Sequence, residues 1–170
     1  QDGTNEPERW NAVAAAADGS VILAGYTWGD WNATNKGNCD LAVAKVDLNA
    51  TVLWKWQNGT EGQDEAKSVA VSDDSSLLVG FQTDGSWTGS NVGGSDFAVV
   101  KLDSNGTEIW RWQNGTTEND YVRGGTAAID GSFVLAGSTD GEWNGTNAGD
   151  KDFAAVKVDA TGTMMWMWQV

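Results

Sequence analysis

Trp54-Lys55-Trp56-Gln57-Asn58-Gly59-Thr60 returns as Trp110-Arg111-Trp112-Gln113-Asn114-Gly115-Thr116, and once more as Trp166-Met167-Trp168-Gln169. Both steps are 56 residues. The same interval separates Trp31, Trp87 and Trp143; Asn35, Asn91 and Asn147; Asp40, Asp96 and Asp152; Lys45, Lys101 and Lys157; and Asp47, Asp103 and Asp159. One-residue slips near Gly25, Gly80 and Gly137 are the only interruptions. A fixed period of this length is the signature of a repeat architecture. Residues 1–170 therefore read as a single array, with units at about 1–56, 57–112 and 113–170, and Gln169-Val170 opening a fourth.

Within a unit the pattern belongs to strands. In the first unit an apolar segment spans Trp10 to Ala17, Asp18-Gly19 follows, and a second apolar segment runs from Val21 to Thr27. Asp-Gly between two apolar runs predicts a hairpin with positive φ at both central positions. After a polar, Gly-rich loop come Leu41 to Asp47, a turn at Asn49-Ala50, and Thr51 to Trp56. The later copies place Asn105-Gly106 and Thr161-Gly162 at that second turn. The prediction is four short strands per unit and no helix.

The order of an apolar strand, Asp-Gly, a strand ending in Gly, a long loop, Asp-Phe-Ala-x-x-Lys-x-Asp, Asn-Gly-Thr and Trp-x-Trp resembles the β-propeller repeat of secreted multi-blade proteins. Phe97 to Trp110 carries the likeness most closely. The resemblance implies an all-β fold of three four-stranded antiparallel propeller-like blades. A β-trefoil, also built from three four-stranded units, is the alternative. Three blades fall short of the four to eight that close a propeller, so two apolar faces are expected to stay open. Because the units are alike, the last face of one chain should fit the first face of another, in a head-to-tail contact that closes a ring or runs on as a filament.

Composition narrows the partners. With 10 Lys+Arg against 24 Asp+Glu the net charge is −14, which disfavours nucleic acid and anionic membrane surfaces. The longest wholly apolar run, Ala12 to Ala17, is too short to insert across a bilayer. The chain starts at Gln1 without a leader, as expected of a processed chain or fragment. Cys39 is the one cysteine, so no internal disulfide forms.

The candidate sites repeat with the units. Trp54 and Trp56, Trp110 and Trp112, and Trp166 and Trp168 stand at i and i+2, so both rings of a pair leave one face of a strand, as interface packing requires. Trp31, Trp87 and Trp143 lie in polar loops, where a ring either binds glycan or pins its loop. Asp40, Asp96 and Asp152 are candidate calcium ligands, although no EF-hand spacing surrounds them. Asn32, Asn49, Asn58, Asn105, Asn114 and Asn144 each begin an Asn-x-Thr triplet, the acceptor for N-glycosylation.

Catalysis finds little footing. No His is present, which removes His-based triads and His-ligated zinc. Cys39 is replaced by Ser95 and Lys151 in the other copies, unlike a nucleophile. The acidic positions recur in every unit, whereas an active site breaks the symmetry of its scaffold. The expectation is an acidic, Trp-rich, non-enzymatic extracellular protein that self-assembles and is N-glycosylated. The alternative is a lectin-like module presenting the loop tryptophans to carbohydrate.

Overall fold

A computed structural model describes residues 3–89 and 91–170. Among the described residues, twelve strands form three sheets. The first holds β1 (Glu8–Ala15), β2 (Val21–Thr27), β3 (Asp40–Val46) and β4 (Val52–Asn58). The second holds β5 (Asp64–Val71), β6 (Leu77–Thr83), β7 (Asp96–Leu102) and β8 (Glu108–Asn114). The third holds β9 (Asp120–Ala127), β10 (Phe133–Thr139), β11 (Asp152–Val158) and β12 (Met164–Gln169). Each is an antiparallel meander in chain order, one sheet per sequence unit.

The propeller resemblance is overturned at this level, and so is the trefoil. Named strands pair only within their own unit, and none of the three sheets closes or curls onto itself. A trefoil needs strands from different units to share a barrel, and a propeller needs its blades to complete a circle. What the chain forms is an open series in which β5, the leading strand of the middle sheet, packs against both β1 and β9. The repeat shows that the units are alike; it carries no information about closure. Among the described residues, backbone pairing between the first two sheets is limited to one parallel bridge, Cys39 with Gln63, so side chains carry most of the stacking.

The hairpin turns also differ from the Asp-Gly reading. At the first turn the Ala16 N–H donates to the Ser20 carbonyl and the Gly19 N–H to the Ala16 carbonyl, and only Gly19 takes a left-handed φ, of 83°. Asp18 keeps a negative φ, and its carboxylate accepts the Ser20 N–H at 2.9 Å. The turn is thus longer than a two-residue loop. Ser75 (φ 63°) and Ala50 (φ 62°) take the same left-handed position without being glycine, at a steric cost of about 1 kcal/mol each.

The middle sheet is buried on both faces. Toward the first sheet, Val69, Leu77, Val79 and Phe81 meet Ile22, Ala24, Leu41 and Val43. Toward the third, Leu78, Phe97 and Val99 meet Val122, Phe133, Leu135 and Val156. Strand β7 is accordingly buried at every residue, while β11, with one open face, alternates. This follows from the pleat, which sends successive side chains to opposite faces.

Candidate functional site

Two regions bear on function: the loop end of each sheet, and the faces that no sheet covers. The loop end is organised by the glutamine of the repeated motif, to which the sequence alone assigns no role. Gln57 closes the Trp-x-Trp-Gln run, and its side-chain oxygen accepts the N–H groups of Trp31, Asn32 and Ala33 at 2.9, 2.8 and 3.2 Å. Its amide nitrogen donates to the Gly29 carbonyl at 3.0 Å and to Asp40 at 3.2 Å. Gln113 and Gln169 repeat the contacts, to Trp87 and Asp96 and to Trp143 and Asp152. The signal was there: this glutamine returns at each interval of 56.

The three candidate calcium aspartates are buried and occupied by that network. Asp40, Asp96 and Asp152 each accept a loop N–H, from Lys36, Val92 and Ala148. No group of three or more metal-ligating side chains gathers among the described residues. Their neighbours explain the Gly of Asn-Gly-Thr. A β-carbon on Gly115 would lie 2.2 Å from an Asp96 oxygen and 2.6 Å from an Asp120 oxygen; one on Gly59 would meet Asp40 and Asp64 in the same way. Two buried carboxylates face each other across each glycine. Burial first pushes Asp96, Asp120 and Asp40 up from the ordinary value, and a nearby carboxylate adds to it: Asp84 for Asp96, Asp96 for Asp120 and Asp64 for Asp40. One oxygen of Asp96 has no hydrogen-bond partner.

The loop tryptophans are not equivalent. Trp87 is 6% exposed, donates its indole N–H to Asp64 at 2.6 Å, meets the edge of Phe81, and carries the Arg111 guanidinium 4.8 Å over its ring. Beside it a cleft of about 830 Å³ is lined by Lys36, Thr60, Asp84, Ser86 and Arg111. Trp31 is half-buried, with Lys55 over its ring at 4.6 Å and Trp10 edge-on at 5.5 Å. Trp143 is half-buried against Phe97 at 4.9 Å. The aromatic that packs on the loop ring has changed strands: Phe81 pairs with Ala66, while in the first sheet Gly25 takes the Phe81 place and its partner is Trp10.

The Trp-x-Trp pairs divide by sheet. Trp54 and Trp56 pack into the first inter-sheet core and Trp110 and Trp112 into the second. Trp54 donates its indole N–H to the Ser104 carbonyl at 3.0 Å, and Trp110 to the Ala160 carbonyl at 2.9 Å, each reaching a hairpin tip of the following sheet. Trp166 and Trp168 have no following sheet within the chain, and are 42% and 50% exposed. On that same face Phe153 is 71% exposed, whereas Phe97, its counterpart one unit earlier, is fully buried. The opposite end is free too: Val13, counterpart of the buried Val69, is exposed, and Val21 and Leu23 are half-buried.

Among the glycosylation acceptors, Asn49 and Asn105 stand exposed at hairpin tips. The side chains of Asn32 and Asn144 donate to the carbonyls of Lys55 and Met167, which a glycan would interrupt. Asn58 is half-buried and accepts from Lys36, and half-buried Asn114 lies beside Met164. Cys39 is buried, and burial pushes its thiol up to about 12, so it carries no reactive thiolate at neutral pH.

No family model matches the chain, and no curated protein matches it. Among solved structures, a protein of unknown function from Bacteroides caccae superposes with a TM-score of 0.57 at 10% identity, over 96% of this chain and 47% of that one. A structure described as the eukaryotic initiation factor superposes with a TM-score of 0.52 at 13% identity, over 97% of this chain and 33% of that one. The chain thus spans about half of the first and a third of the second. At such identities the likeness is one of fold alone.

Proposed function

We propose that this protein is a non-enzymatic structural subunit that joins further copies of itself head to tail, through the free face of the third sheet and the free face of the first. One observation carries the reading: Phe153, Trp166 and Trp168 are exposed at positions whose counterparts Phe97, Trp110 and Trp112 are packed under a neighbouring sheet. An exposed apolar face of this kind favours association. The contact is heterologous, so it closes into a ring or extends as a filament. The burial of Trp87 and the cation over its ring favour loop pinning over sugar stacking. Exposed acceptors at Asn49 and Asn105 support a glycosylated protein working outside the cell.

Sedimentation velocity from about 1 to about 500 μM tests this. The expected result is a weight-average mass that climbs from 18.0 kDa with concentration. A mass of 18.0 kDa across the whole range refutes it.

A further inference from the structure

The internal sheet contacts specify how one copy would meet the next. Resting on the head-to-tail reading above, we propose that copies dock in the register of those contacts, with the Trp166 indole N–H donating to the Leu48 carbonyl of the next copy, and that Ala50 limits the strength of this joint.

The register follows from two internal precedents. Trp54 reaches Ser104 and Trp110 reaches Ala160, each fifty residues along the chain, at 3.0 and 2.9 Å. Leu48 holds the place of Ser104 and Ala160 in the first sheet, on an exposed tip. Trp166 holds the place of the two donors in the third. The rings agree. Phe97 meets Trp143 edge-on at 4.9 Å and Trp56 lies 6.4 Å from Trp87, so the same step brings Phe153 and Trp168 onto Trp31 of the next copy. The backbone agrees as well: the Asp64 N–H donates to the Cys39 carbonyl and the Asp120 N–H to the Ser95 carbonyl, which places the Glu8 N–H at the Lys151 carbonyl of the preceding copy.

The limit comes from one methyl group. Gly106 and Gly162 take left-handed φ values of 84° and 89° directly beneath the partner tryptophans. A β-carbon there would stand 3.0 Å from the Trp54 ring and 3.1 Å from the Trp110 ring, tighter than ordinary contact. Ala50 occupies this position in the first sheet and carries that β-carbon. Trp166 therefore meets a methyl where Trp54 and Trp110 meet a hydrogen, and the ring must shift outward by a few tenths of an ångström. The joint is also small. A sheet of four seven-residue strands presents a planar footprint of about 450 Å², below the ~800 Å² per partner of a standard stable interface. These two features make the joint weaker than the covalently tethered internal contacts, which suits a reversible assembly.

The test compares wild type, Ala50→Gly and Trp166→Phe by sedimentation velocity, with near-ultraviolet circular dichroism to establish that each is folded. Ala50→Gly is expected to tighten self-association about tenfold by removing an overpacked contact. Trp166→Phe, which keeps a ring and loses the donor, is expected to weaken it about fivefold. Association that neither substitution alters overturns the register while leaving head-to-tail assembly standing. Absence of association in both wild type and Ala50→Gly up to about 500 μM overturns both.

Discussion

Phe97 and Phe153 are one residue in two settings, and the difference between them is measurable. Phe97 is fully buried between the second and third sheets; Phe153 stands at the same place on β11 and is 71% exposed. Phe97→Ala removes a ring from a packed interior and is expected to cost about 3–5 kcal/mol. Phe153 has less than a third of its surface covered, and a fully buried Phe is worth about 1.5–3 kcal/mol, so Phe153→Ala should cost less than ~1 kcal/mol in an isolated chain. Urea unfolding followed by tryptophan fluorescence at about 1 μM protein reads both values, since association is minimal there. Repeating it near 200 μM, where copies cover the face, should raise the apparent stability of wild type and leave Phe153→Ala behind by about 1 kcal/mol. Equal losses for Phe97→Ala and Phe153→Ala in dilute solution would show that the third sheet's outer face is already sealed, and would refute the reasoning.

Gln57→Ala strips the first loop of three accepted N–H bonds and leaves Asp40 without its amide donor; a loss of about 2–4 kcal/mol is expected, with faster amide exchange in residues 28–38, and an unchanged exchange pattern would contradict the pin. Asp96, Asp120 and Asp40 are pushed up from 3.8 chiefly by burial, so they favour the fold below that value and this contribution fades as pH rises through their raised values. Turn aspartates act oppositely: Asp74, held down to about 2 by Ser76 and Lys101, supports the fold above 3.8 and loses that support as pH falls. Asp96→Asn, whose new amide donor can face Asp120 across Gly115, is expected to flatten the stability profile above about pH 4 at no cost near neutrality; a steeper profile, or a loss above ~2 kcal/mol, would count against the facing carboxylates. Two chains of charge −14 repel, so self-association should tighten between about 0.01 and 0.15 M salt, where the screening length falls from ~30 to ~8 Å; weakening with salt would argue for a contact between opposite charges elsewhere.

Much of the fold was written plainly in the chain. The 56-residue interval delimits the three sheets, and the segments Trp10 to Ala17, Val21 to Thr27, Leu41 to Asp47 and Thr51 to Trp56 mark the strands of the first unit within two residues of where they lie. Other features depend on what lies across the stack, which no single unit encodes. Trp31, Trp87 and Trp143 occupy one place in the repeat, yet only Trp87 has a sheet on either side of its own, and it alone is buried. The exchange of Phe81 for Trp10 links two strands and cannot be seen by comparing one column of the repeat. The reason for glycine at 59 and 115 is a pair of carboxylates from neighbouring sheets, which the sequence of one unit does not display. The likeness to propeller blades led furthest from the structure, because likeness between units says that they stack and leaves the arrangement of the stack open.

The most direct test blocks one face at a time. Val13→Glu spoils the free face of the first sheet and Phe153→Glu that of the third, both at exposed positions that leave the monomer folded. A heterologous joint leaves each variant alone at 18.0 kDa, and their equimolar mixture forms a one-to-one pair of twice that mass, joined through the two intact faces. Continued self-association of either variant on its own, or a mixture that remains at 18.0 kDa while wild type assembles, would contradict the account.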